Sequence, residues 1–428
     1  MKYKLFAVVV IFIFTLFSYL FLLDEPLHDD IPKILAEFNH AQPDINNGSI
    51  YQLGMWSEIS EDPYAIGQWR LSQYKQAEQT TPTSQQEITF IDYPEELQIF
   101  ELFNREKRPE VFCEIADSTC LTYIYENTAE IRPLLNEYQF FIERYDTLMS
   151  YQNFSAYLPP TFYIPLPDFG PSADILQLKL LAIINQAKNE NELAAISALV
   201  NLLTFQKQIL EQSPYMPVKI ASTIELDMII DTIAFLLSKS SNKTSWQILI
   251  ENLAPFTNSQ LTFAKPFFHE FVAQVNALEH IDIASHEDKL PKVINFLPAK
   301  ILYKKNRTIN TLYRWVNNNI GGLKFNNNNQ IEVINKAKPE EILRFDYQNP
   351  VGSKLLLSMA PKLSNLERFT FQLAVKQQML RYLYQLPFNK HNQSVYISPF
   401  TGKPAYYNEM KFCVSVDQRQ HNDICISH

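Results

Sequence analysis

The hydrophobic pattern of the chain is dominated by an unbroken apolar run near the N-terminus, Leu5–Leu23. Two lysines, Lys2 and Lys4, precede the run, and the acidic residues Asp24 and Glu25 follow it. As a helix its 19 residues would span about 28 Å, close to the hydrocarbon thickness of a bilayer. Because flanking lysines stay on the cytoplasmic side, the pattern predicts a transmembrane anchor with the N-terminus inside the cell and the bulk of the chain exported.

A cleaved signal peptide is the alternative interpretation of this run. Its apolar core would be shorter, about 7–15 residues, and would end in small residues of the A-x-A type. The run ends instead in Phe21-Leu22-Leu23, which offers no such site. We therefore expect the anchor to be retained.

Beyond the anchor, apolar residues recur at helical spacing. In one stripe the spacings are 4, 3, 4 and 3, which predicts a helix that starts near Pro133. The stripe comprises Leu134, Tyr138, Phe141, Tyr145 and Leu148. Further helices are predicted near 172–188, 190–212, 217–239, 244–254 and 258–279. Helices of this length, separated by short breaks, are typical of an antiparallel α-helical array.

Two later helices are marked by their first residues. Asn349-Pro350 supplies an N-cap followed by a first-turn proline. Ser364–Glu367 has the spacing of a capping box. The helix that follows the capping box would carry Leu366, Phe369, Leu373 and Leu380 on its inner face.

Two segments depart from the helical pattern. Asn317–Asn329 contains Gly321-Gly322 and is predicted to be an exposed loop. Near the C-terminus, Ser394–Ile397 and Met410–Val416 alternate like strands, with a turn around Gly402 between them. The predicted fold class is mainly α, with an N-terminal transmembrane helix, an antiparallel helical array and a small C-terminal β element.

The same patterns divide the chain into successive parts. They are a cytoplasmic tip (1–4), the anchor (5–23), a stalk (24–50), an N-terminal helical domain (51–290), a second helical block (291–388) and the β element (389–428). Within the first domain, the apolar stretch Ile224–Leu237 is interrupted by Glu225, Asp227 and Asp231. It is too short and too charged to span a bilayer, and it is predicted to be a core helix.

The four cysteines lie in two close pairs, Cys113 with Cys120 and Cys413 with Cys425. An even number of cysteines in an exported chain favours disulfides, and four cysteines allow three connectivities. Because short loops close most easily, we favour the two local bridges. Structural zinc is the alternative, but it usually requires C-x₂₋₄-C pairs, and the pairs here are separated by six and eleven residues. No metal site is predicted.

Charge and aromatic residues point to one candidate binding surface. The net charge of −9 excludes a general polyanion binder, and export argues against nucleic acid as a ligand. One basic and aromatic cluster nevertheless fits an anionic lipid headgroup or an acidic protein partner. It comprises Lys300, Tyr303, Lys304, Lys305, Arg307, Tyr313, Arg314 and Trp315. The alternative interpretation is a solvated helix face.

No catalytic motif is complete. His269-Glu270 and His286-Glu287 look like halves of a zinc-protease motif, but neither has a histidine one turn on, so both are interpreted as solvated polar residues. Ser240 and Lys243 have S-x-x-K spacing, and a polar turn between helices explains them better. Arg144, beside an apolar stripe, is expected to bind carboxylates or carbonyls and to fix helix packing. No catalytic residue and no cofactor is predicted.

Several short patterns resemble those of uncharacterised inner-membrane-anchored periplasmic proteins of Gram-negative bacteria. They are Gly54 with Asp62-Pro63 and Gly67, Cys113-x₆-Cys120, Arg144-Tyr145-x-x-Leu148, Asn306-x-Thr308-x-Asn310, Asn349-Pro350-Val351-Gly352, and Pro399-Phe400-Thr401-Gly402-Lys403-Pro404 followed by Tyr407. The resemblance implies a fold unit and a location in the inner membrane with the bulk in the periplasm. It carries no activity.

Two functions fit these observations. The first is a non-enzymatic interaction or assembly module of the cell envelope, held by the anchor and bound to an envelope protein or to anionic lipid. The second is a periplasmic hydrolase whose site is assembled from residues far apart in sequence. The first is favoured by the helical array, the single anchor and the lack of a nucleophile or metal motif. The oligomeric state is left open.

Overall fold

In the computed structural model the protein is mainly α-helical, and its described residues include two small antiparallel sheets. The structure describes residues 15, 23–40, 46–80, 113, 115, 118–161, 164–189, 191–240, 246, 249–250, 253–280, 303–334, 342–359, 366–385, 396–408, 411–416 and 423–427. The predicted mainly α fold with a small C-terminal β element is confirmed. The predicted anchor lies outside the described residues except for Thr15 and Leu23, and it stays a prediction.

The helices and strands are numbered in chain order. The helices are α1 Ile31–Asn39, α2 Gly48–Gly54, α3 Pro63–Thr80, α4 Ser118–Glu126, α5 Thr128–Glu137, α6 Gln139–Met149, α7 Phe169–Asn189, α8 Glu192–Gln212, α9 Met216–Lys239, α10 Asn258–Leu261, α11 Ala264–His280, α12 Lys305–Asn319, α13 Pro350–Met359 and α14 Leu366–Gln385. The strands are β1 Leu323–Phe325, β2 Ile331–Val333, β3 Tyr406–Asn408, β4 Lys411–Ser415 and β5 Asp423–Ser427.

Three long helices, α7, α8 and α9, form the centre of the molecule, and their bounds agree with the predicted ones to within a few residues. Their short connections and mutual contacts fit the expected hairpin arrangement. Among the described residues, α8 is long and apolar enough to cross a membrane, yet 56% of its most apolar window is buried inside the protein. Ile224–Leu237 lies in α9, a core helix as predicted.

Buried apolar side chains form two main clusters among the described residues. The larger cluster joins α2–α9 to α14 and to the C-terminal sheet. The second joins α1 and α11 to α12 and α13. The predicted domain boundaries stay predictions. However, each cluster contains residues from both sides of the boundary placed at residue 290.

Residues 24–39, part of the predicted stalk, are docked on the body, and we call them the strap. The carboxylate of Asp24 accepts hydrogen bonds from the backbone N–H groups of Asn306 (2.7 Å) and Arg307 (3.1 Å) at the N-terminus of α12. The side chain of Asn310 donates to the Glu25 carboxylate and to the Pro26 carbonyl, both at 2.8 Å. Helix α1 completes the strap and packs against α11. The chain therefore meets the body one residue after the apolar run ends.

Arg144 has the structural role that the sequence predicts. Its guanidinium is buried and donates to the carbonyls of Met55, Ser57, Glu58 and Glu61 at 2.6–2.9 Å. Those carbonyls belong to the turn that joins α2 to α3. One side chain of α6 therefore holds the turn of the neighbouring helical hairpin.

Glycine allows α2 and α3 to approach each other closely. A Cβ on Gly54 would lie 2.0 Å from the carbonyl oxygen of Pro63, and a Cβ on Gly67 would lie 1.9 Å from that of Ile50. Neither position has room for a side chain, because the obstacle in each case is backbone.

Two local predictions are wrong. Pro133 lies inside α5 instead of at the start of a helix, since the helix begins five residues earlier, at Thr128. The predicted loop Asn317–Asn329 contains the end of α12, strand β1 and most of a turn, which together lead into a β1–β2 hairpin. Gly321 and Asn329 adopt positive φ at the two bends and allow the chain to reverse there.

Both predicted cysteine pairs lie at disulfide distance. The sulfur atoms are 2.10 Å apart in Cys113–Cys120 and 2.06 Å apart in Cys413–Cys425. The second pair joins residues directly opposite each other on β4 and β5. It therefore fixes the register of the C-terminal sheet, whose order is β3-β4-β5.

Candidate functional site

A cleft of about 450 Å³ opens between α9, α14 and β5. Its walls are mainly apolar and include Ile220, Ile224, Phe263, Phe369, Leu373 and Ile424. Its polar groups come from the same three elements and from Lys411 of β4. A concave, mainly apolar site of this size with a few polar groups is typical of ligand-binding pockets. We call it the β5 cleft.

The polar groups of the β5 cleft include a cluster of three charges. The buried ammonium of Lys376, on α14, contacts the carboxylate of Asp227 at 2.6 Å and that of Asp231 at 2.7 Å. The two acids are four residues apart on α9, so both face the same neighbour. Asp231 is largely buried, whereas Asp227 is partly exposed.

Burial and ion pairing shift the pKa values of Lys376 and Asp231 in opposite directions. Burial alone would lower the pKa of Lys376, but the carboxylates of Asp231 and Asp227 together raise it above its ordinary value. Burial raises the pKa of Asp231 to about 7, although the ammonium opposes this shift. Lys376 therefore stays protonated at neutral pH, and its nitrogen has no free lone pair for nucleophilic attack.

The charged groups at the centre of the β5 cleft are engaged with one another. Of the described residues that line it, none is a serine or histidine, and Cys425 is paired with Cys413. The charges of Lys376, Asp227 and Asp231 are held by one another. Across the described residues, no three His, Cys, Asp or Glu side chains are arranged to hold a metal ion.

Large apolar side chains are exposed at the mouth of the β5 cleft. Phe369 on α14 is 57% exposed, and Ile224 on α9 is 58% exposed. The prediction that Phe369 lies on the inner face of its helix is wrong, although Leu373 and Leu380 are buried as predicted. The buried face of α14 includes the polar residues Glu367, Thr370, Lys376 and Gln377. The positions of the apolar residues alone therefore do not show which face of the helix is buried.

The structure brings the described members of the basic and aromatic cluster together on α12 and just before it. Several are engaged inside the protein. Arg307 pairs with Asp346 at 2.5 Å, Tyr313 donates to Asp30 of the strap at 3.2 Å, and Trp315 is buried. Lys304 is buried, Tyr303 and Lys305 are partly buried, and Arg314 is exposed. Lys300 lies outside the described residues. The binding role of this cluster stays a prediction.

His269 differs from its sequence interpretation. The sequence predicts a solvated side chain, but His269 is only 3% exposed and lies between the rings of Phe38 and Tyr215. Neither of its ring nitrogens has a hydrogen-bond partner among the described residues, and burial lowers its pKa to about 4. His269 therefore belongs to the contact between the strap and the body.

The remaining catalytic candidates are placed only in part. Ser240 caps the C-terminus of α9, where its backbone N–H donates to the carbonyl of Leu236 at 3.0 Å, and this fits the predicted polar turn. Lys243, His286 and Glu287 lie outside the described residues.

Comparison with known proteins identifies no relative. No protein-family model, curated protein or solved structure matches this chain. The function is therefore inferred from the sequence and from the geometry of the β5 cleft.

The β5 cleft is not predicted by any local pattern of the sequence. The sequence does contain one indication of it. The acidic residues within the apolar stretch of α9 suggest that carboxylates are buried in the core. Their partner, Lys376, lies 149 and 145 residues further along the chain. No local pattern links residues at that separation.

Proposed function

We propose that this protein is a non-enzymatic binding module of the cell envelope, which takes an apolar segment of a partner into the β5 cleft. The observation that carries the proposal is the composition of the cleft. Its walls are apolar, its charges are largely neutralised by one another, and Phe369 and Ile224 are exposed at its mouth. Burying exposed apolar surface is a main driving force of association.

A location in the inner membrane is part of the proposal. The apolar run Leu5–Leu23 supports an anchor, and the two cysteine pairs at disulfide distance fit an oxidising compartment. The strap begins directly after that run, so an anchored body would be held close to the membrane surface in one orientation. Such a module would present the β5 cleft in a fixed direction.

Site-specific photo-crosslinking in cells tests this proposal. A photoreactive amino acid at Phe369 should give a discrete crosslinked species, because this side chain would contact the partner. Leu193, on α8, is also 57% exposed and provides the matched control, at which no such species is expected.

A second substitution, Ile224→Asp, should abolish the crosslink from position 369 by making the mouth of the cleft polar. Equal crosslinking from positions 369 and 193, or a crosslink that Ile224→Asp leaves unchanged, would refute binding in the cleft. Turnover of a substrate by the purified protein would favour the hydrolase alternative.

A further inference from the structure

Within the part of the chain that the structure describes, strand β5 forms one edge of its sheet, and the register shows which of its backbone groups are unpaired. Cys413 and Cys425 are opposite each other with their Cα atoms 4.1 Å apart. This short separation is typical of a non-hydrogen-bonded pair in an antiparallel ladder. Ile424 therefore directs its N–H and C=O groups toward β4, whereas Asp423 and Cys425 direct theirs away from the sheet. Among the described residues these outward groups have no hydrogen-bond partner.

The unpaired edge faces the β5 cleft. Asp423, Ile424 and Cys425 all line the cleft, although successive side chains of a strand point to opposite faces of a sheet. A cavity in contact with three consecutive residues therefore lies along the edge of the strand. The exposed side chains of Phe369 and Ile224 line the same cleft.

We infer that the occupant of the β5 cleft is an extended peptide segment of a partner protein, which adds to the sheet as a strand beside β5. This inference rests on the proposed function and names the ligand class. An extended backbone presents donors and acceptors at the two-residue spacing of Asp423 and Cys425, so it satisfies both residues at once. Alternate side chains of the peptide then pack against Phe369 and Ile224.

The charged side chains of the β5 cleft indicate which charge the peptide should carry. Lys376 pairs with Asp227 and Asp231, and the carboxylate of Asp423 accepts hydrogen bonds from Tyr406 and Ser415. Lys411, on the wall of the same cleft, forms no direct ion pair or hydrogen bond through its side chain among the described residues, although its charge acts on Asp231. An acidic residue in the peptide would therefore complement Lys411.

Other occupants fit less well. A lipid chain would fill the apolar space but would leave the backbone groups of Asp423 and Cys425 unpaired. A second copy of this chain would present its own β5 beside its own α9 and α14, and these helices would obstruct pairing with the recessed strand. A single strand needs only about 5 Å beside β5.

The test uses the full-length protein in lipid nanodiscs and a capped eight-residue peptide of alternating valine and threonine with one terminal glutamate. Calorimetry should detect binding at peptide concentrations of about 1 mM or lower. Two versions of the peptide, N-methylated along one edge or along the other, provide the matched pair. Because a strand pairs through only one edge, one version should bind about tenfold more weakly or worse, and the other should keep its affinity.

The changes are made in the peptide, so misfolding of the protein cannot produce this difference. Equal affinity of both methylated versions would mean that apolar contact alone holds the peptide, and it would overturn strand pairing while leaving the proposed function intact. Absence of binding at millimolar peptide would also overturn the inference. Specific crosslinking from Phe369 would still support the proposed function in either case.

Discussion

At the scale of single residues, buried polar side chains determine much of the local structure. Arg144 satisfies four backbone carbonyls in the turn between α2 and α3, and its guanidinium also lies 4.2 Å from the ring centre of Phe140. A lysine at this position has one nitrogen and cannot reach all four carbonyls. The turn would then contain buried acceptors without donors.

We therefore expect Arg144→Lys to lower the free energy of unfolding by about 2–4 kcal/mol. Chemical denaturation of the purified protein measures the change. Arg132→Lys is the matched control, because Arg132 is exposed on the adjacent helix α5, and it should change stability by less than about 0.5 kcal/mol. Equal effects of the two substitutions would contradict a structural role for Arg144.

His269 makes stability depend on pH. Its pKa is about 4 in the folded protein, because burial disfavours the charged ring, and about 6.5 in an unfolded chain. As the pH falls from 6.5 toward 4, the unfolded chain gains a proton that the folded chain does not bind, so folding becomes less favourable. The loss at pH 4.5 relative to pH 7 amounts to about 2–3 kcal/mol.

His269→Phe should remove this loss, and denaturation at pH 7 and pH 4.5 tests it. The comparison must be between variant and wild type at each pH, because burial raises the pKa values of Glu225 and Asp231 to about 7 and these groups act in the opposite direction. A difference between variant and wild type that is the same at both pH values would show that His269 does not titrate as described.

At the scale of elements, the sequence predicts long helices well and short strands poorly. The helices α7, α8 and α9 contain five or more turns each, so their apolar period repeats often enough to be recognised. Strands β1 and β2 have three residues each, which is too few to establish an alternation. The β5 cleft was missed for another reason: it depends on the packing of α14 against α9, which no local pattern contains.

The close contact of α2 with α3 leads to a prediction about an element. Gly67→Ala should destabilise the protein by about 2–4 kcal/mol, because the new methyl group would meet the backbone carbonyl of Ile50 and force the two helices apart. Gly170→Ala is the control. Gly170 lies in the first turn of α7 with no atom within 4 Å of an added Cβ, so alanine there should be neutral or slightly stabilising. Thermal unfolding of both variants checks the expectation.

At the scale of the whole molecule, the strap connects the chain that follows the apolar run to a helix formed almost three hundred residues later. Asn310 is its central contact, since its side chain also accepts the backbone N–H of His28 at 2.9 Å. Asn310→Ala should release the strap while leaving the central helices folded.

Limited trypsin digestion measures this release, because Lys33 lies in the strap and is 78% exposed. Cleavage after Lys33 should become several-fold faster in Asn310→Ala, whereas the helical circular dichroism should change little. Asn328→Ala, in the exposed turn of the β1–β2 hairpin, is the control and should digest like the wild type. If Asn310→Ala were cleaved no faster than this control, the strap would be held by other contacts.

The strap also constrains the order in which the protein can be completed during synthesis. His28 emerges early from the ribosome, but its partner Asn310 is added 282 residues later. At a translation rate of about 5–20 residues per second, the strap waits about 15–55 seconds for the helix that receives it. A chain whose synthesis stalls before α12 can therefore dock α1 on α11, but Asp24, Glu25 and His28 are left without their partners on α12.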